Sequence, residues 1–231
     1  MNRQPQRKLV AIVGGSGSGK TWLAGCLNRE LSRPAARVSL DNFYLERPDL
    51  PPAVRSGGNF DHPRAVDWDL VLRALQNCRN GQPVEVPGYD FATHTRQPGG
   101  LLQGLSSVVL VEGLWLLWLP RVRELFDLKI FLECPLPLRF ERRLARDVGE
   151  RGRTAESVRA QFWETVTPMH ERFVAPQRRW ADLVLSQPPR DLELRRLLAR
   201  LESLASGAVA TAAAPRADLT EIPPAVALRG N

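Results

Sequence analysis

Short apolar runs alternate with amphipathic segments along most of the chain. The clearest run, Ser-Val-Val-Leu-Val, ends at Glu-Gly, and such short runs bounded by turn residues are typical of buried strands. The predicted strands are Leu9–Val13, Arg37–Leu40, Ser107–Val111, Leu128–Leu132 and Leu183–Leu185. Apolar residues three or four apart between these runs predict amphipathic helices. The predicted helices are Lys20–Leu31, Asp67–Asn80, Pro137–Val148, Ala155–Val174 and Asp191–Leu204.

This alternation of strands and helices predicts an α/β fold, with a mostly parallel sheet covered by helices on both faces. Pro168 is expected to kink or split the helix that contains it. Pro83–Pro87 predicts a short strand in an excursion from the sheet, and Glu46–Gly58 is rich in Pro and Gly and predicts a loop. We expect one domain over residues 1–204. Residues 205–231 hold nine alanines, three prolines and no aromatic residue, which predicts a disordered tail.

The charge balance is positive, with 32 Lys plus Arg against 25 Asp plus Glu and a net charge of +7. Such a balance is compatible with nucleic acid, a membrane surface or phosphate-bearing ligands as partners. Arginine makes up almost all of the basic residues, and the lysines are Lys8, Lys20 and Lys129. We interpret this preference as a lineage habit, which makes a retained lysine informative about a site that requires an ammonium group.

The cellular compartment is predicted from what the sequence lacks. No apolar run reaches the ~18–20 residues that a membrane span requires, and the polar start is unlike a secretory signal. Cys26, Cys78 and Cys134 are odd in number and far apart, which argues against a disulfide framework or a zinc site. We therefore expect a cytoplasmic protein without a membrane partner.

The strongest motif is a glycine-rich loop that matches GxxxxGK[ST] between a predicted strand and a predicted helix. Phosphate oxygens must approach bare backbone N–H groups, so the loop requires glycine, and the helix presents its positive end to the anion. The lysine reaches the β- and γ-phosphates and the threonine hydroxyl serves Mg²⁺. The motif predicts a P-loop NTPase-type sheet and ATP as a ligand. The loop consists of Gly14, Gly15, Ser16, Gly17, Ser18, Gly19, Lys20 and Thr21.

Two carboxylates follow predicted strands and are candidates for chemistry at the same edge of the sheet. Asp41 comes just after the second strand and Glu112 directly after the third. The carboxyl ends of parallel strands share one edge, where ligands bind. Asp41 could accept the proton of an attacking hydroxyl, and Glu112 could anchor Mg²⁺. Their alternative roles are a turn aspartate and a solvent-facing glutamate.

Residues 139–153 hold six arginines and three acidic residues, a local excess of three positive charges. On a helix, several of these guanidinium groups would share one face. A mobile arginine-rich lid could neutralise the transferred phosphoryl group and exclude water. The alternative is a solvated helix in which the arginines pair with Glu141, Asp147 and Glu150. Because the excess lies where phosphates would bind, the charge does not require a nucleic-acid partner.

In order and approximate spacing, several blocks resemble the uridine–cytidine kinases of the phosphoribulokinase/uridine kinase group. The resemblance covers about residues 8–186. Beyond the phosphate loop, the more specific blocks are Asn59-Phe-Asp-His-Pro63, Tyr89-Asp-Phe-Ala-Thr-His94-Thr-Arg96 and Arg142-Arg-Leu-Ala-Arg-Asp-Val-Gly-Glu-Arg-Gly-Arg153. The resemblance implies phosphorylation of the 5′-hydroxyl of uridine or cytidine, a small β excursion for the nucleoside base, and an arginine-rich helical lid over about residues 139–153.

The resemblance also assigns roles to single residues. Asp41 matches the catalytic base that deprotonates the attacking hydroxyl. Lys20, Arg146 and Arg151 match residues that contact the phosphates. Thr21 and Glu112 match residues on the Mg²⁺ side. The matched nucleoside-site residues are Asp61, Tyr89, His94, Arg143, Arg153 and Gln161. We expect Phe60 and Phe91 to be packing residues, although either ring could border the base. The family implies a homotetramer.

Alternatives remain for donor, acceptor and class. The stretch after Leu185 lacks the family's Gly-rich turn near the adenine, which leaves GTP open as a second donor. The acceptor could be another nucleoside, pantothenate or a sugar phosphate, since related kinases of the same group act on other hydroxylated metabolites. A nucleotide-regulated RNA-binding module is a minor alternative, motivated by the +7 charge.

Overall fold

The computed structural model describes residues 6–46, 59–91, 93–102 and 106–207. The strands in this part of the chain are β1 (Lys8–Gly14), β2 (Ala36–Ser39), β3 (Val84–Asp90), β4 (Thr95–Leu102), β5 (Val108–Gly113), β6 (Leu128–Glu133) and β7 (Leu183–Ser186). One parallel sheet has the order β2-β5-β1-β6-β7, and β3 pairs antiparallel with β4 in a separate hairpin. The mostly parallel sheet and the β excursion are confirmed.

The α-helices are α1 (Lys20–Glu30), α2 (Trp68–Arg79), α3 (Pro120–Arg123), α4 (Leu136–Gly149), α5 (Ala155–Gln161), α6 (Thr167–Met169) and α7 (Asp191–Ser206). Asp67 begins α2 because its carboxylate accepts the N–H of Leu70 at 3.0 Å, the capping contact expected at a helix N-terminus. None of the helices in the described ranges is long and apolar enough to cross a membrane.

Alternate residues of β1 pack into two different cores, which is why this strand is apolar without interruption. Leu9, Ala11 and Val13 face a core shared with α2, whereas Val10 and Ile12 face a core shared with α1 and α7. All five of these side chains are fully buried. The prediction of helices on both faces of the sheet is therefore confirmed.

Several boundaries and elements differ from the sequence predictions. The pattern missed β4, since its Gln-Pro-Gly-Gly stretch is exposed and has no apolar alternation. It also missed the four-residue α3. Residues 155–180 form a helical segment that changes type, with π-helical turns at Phe162–Val166 and His170–Val174 on either side of α6, which contains Pro168.

The last helix extends two residues past its predicted end, to Ser206, because the leucine stripe of α7 continues through Leu204 into residues that pack on the same core. The predicted tail therefore begins too early at residue 205. Its remainder, residues 208–231, and most of the predicted loop, residues 47–58, lie outside the described residues.

Candidate active site

The phosphate loop connects β1 to α1 and is fixed by its backbone. Gly19 caps α1 with a φ of 89°, and Gly17 has a φ of 76°. A Cβ on Gly17 would collide with the carbonyl oxygen of Arg139. The Lys20 ammonium donates to the carbonyl oxygen of Gly15 at 2.9 Å. Glycine is therefore required at position 17 by both backbone conformation and space.

Strand pairing brings the two predicted carboxylates to the carboxyl edge of the sheet beside this loop. β2 and β5 are neighbours in register, with Ser39 opposite Glu112, and Asp41 follows in a 3-10 turn. The Thr21 hydroxyl donates to a Glu112 carboxylate oxygen at 2.7 Å. Burial raises the pKa of Glu112, and Lys20 and the Thr21 hydrogen bond oppose that shift. Glu112 is thus a buried strand-end acid and not a solvent-facing one.

The electrostatic state of Lys20 reflects the same enclosure. Burial lowers the pKa of its ammonium, while Glu112 and Asp41 act in the opposite direction. A charge held partly desolvated between two carboxylates gains from the arrival of an anion that replaces lost hydration. Lys20 is therefore suited to a phosphate.

A cavity of about 550 Å³ lies between the loop, the sheet edge, the β3–β4 hairpin and the α4–α5 segment. Side chains from segments distant in sequence line it. The predicted site residues on its wall are Ser16, Lys20, Thr21, Asp41, Asp61, Tyr89, His94, Glu112, Arg143, Arg146, Arg151, Arg153 and Gln161. Every side chain proposed from sequence for catalysis, nucleoside binding or Mg²⁺ thus reaches one cavity.

Asp61 provides a second buried acid on the wall of this cavity. Its carboxylate lies 3.6 Å from the Arg143 guanidinium, and its backbone N–H donates to the Asn59 side chain at 3.0 Å. Burial raises the pKa of Asp61, and the charge of Arg143 opposes the rise. An acid with unused acceptor capacity at a cavity wall is suited to paired hydroxyl donors.

Aromatic rings form the next part of the wall. The rings of Phe60 and His94 stack 4.3 Å apart at 12°, and those of Tyr44 and Tyr89 lie 5.2 Å apart. His94 sits on the hairpin turn with a φ of 53°, a left-handed conformation uncommon outside glycine. Phe60 and Phe91 also line the cavity, so either ring could border a base bound there.

The arginine-rich segment is only partly solvated. Within α4, Arg139, Arg143 and Asp147 are buried. The Asp147 carboxylate forms ion pairs with four arginines of the segment, namely Arg143, Arg146, Arg151 and Arg153. Sequence reasoning treated this acid only as a surface partner in the alternative interpretation. The sequence feature that could have indicated this ion-pair cluster is the i,i+4 spacing of Asp147 from Arg143.

Arg139 lies against the phosphate loop and is not among the residues that line the cavity. Its guanidinium and the His170 ring both lie next to Gly15, where an added Cβ would meet them at 2.7 and 2.8 Å. Burial lowers the pKa of Arg139. Burial also lowers the pKa of His170 to about 4, and the positive charges of Arg139 and Lys20 add to that shift. These two side chains support the loop from outside.

A second cavity of about 350 Å³ opens on the other side of the loop. Lys20, Thr21 and Arg146 line both cavities. The residues confined to the second one are Gly17, Gly19, Trp22, Arg142, Gln187, Pro188 and Pro189. A phosphate chain over the loop could therefore have one end at Asp41 and the rest of a nucleotide in the second cavity.

A parallel sheet with a phosphate loop at its carboxyl edge, and with cavities on both sides of that loop, defines the class of P-loop phosphotransferases. The sequence model of the Phosphoribulokinase / Uridine kinase family matches residues 9–192. The chain belongs to this family. It is a kinase whose phosphate donor is a nucleotide.

Individual proteins that are similar to this chain support the family assignment. A uridine kinase of Staphylococcus epidermidis is 39% identical over 183 residues, which are 79% of this chain and 88% of that protein. A uridine kinase of Deinococcus deserti is 41% identical over 180 residues, which are 77% of this chain and 86% of that protein. Phosphoribulokinase from Rhodobacter spheroides shares the fold, with a TM-score of 0.60 at 15% identity over 79% of this chain and 71% of that one.

Proposed function

We propose that this kinase transfers the γ-phosphoryl group of ATP to the 5′-hydroxyl of uridine or cytidine, forming UMP or CMP in pyrimidine salvage. The observation that carries the proposal is the common cavity, in which Asp41, the phosphate loop, Asp61 and the Tyr89–His94 hairpin face the same space. The relatives named uridine kinase support the choice of acceptor.

Asp41 is the proposed general base. Its carboxylate takes the proton of the 5′-hydroxyl as that oxygen attacks the γ-phosphorus, and the bond between the γ-phosphorus and the β–γ bridging oxygen breaks to release ADP. The 3-10 turn that follows β2 places Asp41 on the cavity wall with Lys20 and Thr21.

Cationic side chains stabilise the charge on the transferred group. Lys20 holds the β- and γ-phosphates from the loop, while Arg146 and Arg151 approach from the lid side. Arg146 lines both cavities, as expected for a group near the transferring phosphoryl. Arg151 lies with its guanidinium 4.4 Å from the Phe91 ring centroid.

The nucleoside is held by polar contacts at the ribose and aromatic contacts at the base. Asp61 accepts hydrogen bonds from the 2′- and 3′-hydroxyls, a paired donor edge that one carboxylate can serve. Tyr89 and His94 contact the pyrimidine by edge and hydrogen bond. Arg143 donates to Gln161 at 2.8 Å, and Arg153 donates to the same amide oxygen, closing this side of the site.

The Mg²⁺ that accompanies ATP would be held by Thr21 and Glu112. A hydroxyl and a carboxylate 2.7 Å apart beside the loop fit an oxygen-preferring ion that takes its other ligands from phosphates and water. When bound, Mg²⁺ supplies charge neutralisation on the phosphates. The second cavity would take the donor's base and ribose, and GTP is to be tested as a second donor.

A panel of acceptors incubated with Mg·ATP, and separately with Mg·GTP, tests the proposal through release of nucleoside diphosphate. We expect turnover with uridine and cytidine, and little with pantothenate or sugar phosphates. Turnover only with another acceptor would refute the pyrimidine assignment. A salt-sensitive complex with polyuridylate in place of turnover would favour the RNA-binding alternative. The homotetramer and the cytoplasmic location remain predictions, checked by light scattering and cell fractionation.

A further inference from the structure

Asp147 is the most enclosed acid of the arginine-rich segment. Its side chain is 1% exposed, although it lies on a helix that borders an open cavity. Arg146 donates from Nε and approaches from Nη2, both at 2.8 Å from the same carboxylate oxygen. A buried carboxylate is costly unless charged partners surround it, so this arrangement is a specific one.

The two oxygens of this carboxylate face two different pairs of arginines. Oδ1 lies 2.8 Å from Arg146 and 3.4 Å from Arg151, the pair assigned to the phosphates. Oδ2 lies 3.4 Å from Arg143 and 3.7 Å from Arg153, the pair assigned to the acceptor side. The carboxylate therefore cannot rotate without disturbing both pairs.

The acceptor-side pair is tied to the nucleoside pocket by further contacts. Arg143 lies 3.6 Å from Asp61 and 3.0 Å from the Ser16 hydroxyl in the phosphate loop. Arg143 and Arg153 also share the amide oxygen of Gln161. A ligand that orders Asp61 and Gln161 would thus fix these two guanidinium groups, and through them the orientation of Asp147.

We propose that Asp147 is a positioning residue that couples acceptor binding to placement of the phosphate-side arginines. The proposal rests on the proposed function for the roles of the two arginine pairs. Nucleoside in the cavity fixes Arg143 and Arg153, the shared carboxylate then holds Arg146 and Arg151 toward the phosphates, and the two substrates bind cooperatively. By thermodynamic reciprocity, each substrate tightens the other by the same factor.

The chain offers a closely matched set of variants. Asp147→Asn removes the charge with little change of shape and presents an amide N–H₂ toward one arginine pair. Asp147→Glu retains the charge and tests rescue. Glu150→Gln is the control, because Glu150 is exposed in the same segment and none of the ion pairs found among the described residues involves it.

The readout is the dissociation constant of uridine measured by calorimetry, with and without saturating Mg²⁺ and the non-hydrolysable ATP analogue with a β,γ-imido bridge. For the wild type and Glu150→Gln we expect the analogue to tighten uridine binding by about tenfold, within the usual range of coupling between sites. For Asp147→Asn we expect a factor below about two, and for Asp147→Glu an intermediate factor.

Three outcomes would overturn the proposal. In the first, the analogue tightens uridine binding to Asp147→Asn as much as to the wild type. In the second the wild type shows no tightening, and in the third Glu150→Gln loses as much tightening as Asp147→Asn. Thermal melting in parallel identifies a variant that has failed to fold. If Asp147→Asn has failed to fold, the tightening factor measured for Asp147→Glu decides. If wild-type protein does not turn over uridine, the proposed acceptor fails instead. The same coupling measurement is then made with the acceptor that the panel identifies.

Discussion

The two sides of the cavity are built by different means. The phosphate side consists of the loop, Asp41 and Glu112, which the backbone of neighbouring parallel strands places in register. The acceptor side consists of Asp61, the hairpin and the α4–α5 segment, which side-chain contacts join. Arg143 lies 3.6 Å from Asp61, and the Arg151 guanidinium lies 4.4 Å from the Phe91 ring centroid. The first arrangement is set by strand order and glycine conformations, and the second by charges that must be balanced.

This difference has a consequence for how each side tolerates change. Substitutions on the phosphate side should act on chemistry or on nucleotide binding, because the surrounding backbone is retained. Substitutions on the acceptor side should act on acceptor affinity and on its dependence on pH, because ion pairs there determine geometry. Three variants test this contrast, and a fourth tests the side chain that supports the phosphate loop from outside, in order of decreasing expected effect.

Replacing Asp41 by Asn should lower kcat by about 10²–10⁴, the usual contribution of a general base. Affinity for Mg·ATP should remain within about threefold, since the loop retains its backbone contacts. Steady-state kinetics and nucleotide titration check both parts. Asp69→Asn, at an exposed acid paired with Arg121, is the control. An unchanged kcat in Asp41→Asn would show that Asp41 is not the general base.

Replacing Gly17 by Ala should weaken nucleotide binding by about 100-fold, because the left-handed backbone costs roughly 1–2 kcal/mol for a residue with Cβ and a collision adds to it. The control is Gly149→Ala at the end of α4, where a Cβ would meet no atom within 4 Å. Titration with Mg·ATP measures the effect. Equal affinities in the two variants would show that the loop does not require glycine there.

Much of the fold was predictable because it depends on local patterns. The five apolar strands and the glycine-rich loop identified the sheet and its nucleotide edge. The strand β4 was not predictable, since an exposed stretch with Gln-Pro-Gly-Gly pairs only because the hairpin folds back on β3. The π-helical turns also depend on tertiary packing that a period of 3.6 residues does not reveal.

The site divides in the same way. Side chains within motifs, such as Lys20 and Asp41, lie together on the cavity wall. His170 was missed because it belongs to no motif, and Asp147 was considered only as a partner of arginines on a solvated helix. The importance of both arises from burial beside charged side chains. The excess of arginine predicted a lid, but not that one acid would pair with four of its arginines.

Replacing Asp61 by Asn should raise the KM for uridine by about 10–100-fold, because hydrogen bonds to a charged group contribute about 1.5–3 kcal/mol. The raised pKa of Asp61 predicts that wild-type KM increases as pH falls, starting above the ordinary aspartate value of 3.8, since the protonated acid loses acceptor capacity. In the variant this dependence should be absent. Identical KM profiles against pH would contradict the ribose contact.

Replacing His170 by Gln should have the smallest effect, visible only in stability against pH. The folded pKa of about 4 lies below the ordinary value of 6.5. Between these values the unfolded chain binds a proton that the folded chain does not, so wild-type stability falls as pH decreases through this window. The variant's Tm should depend less steeply on pH from 6.5 to 4, as measured by thermal melting.

The most direct test of the account asks which oxygen receives the phosphoryl group. Uridine and 5′-deoxyuridine are each incubated with Mg·ATP, and the products are examined by phosphorus NMR. We predict uridine 5′-monophosphate from the first compound, and from the second no product but competitive inhibition against uridine. A phosphorylated product from 5′-deoxyuridine, or none from uridine, would contradict the placement of the 5′-hydroxyl between Asp41 and the phosphate loop.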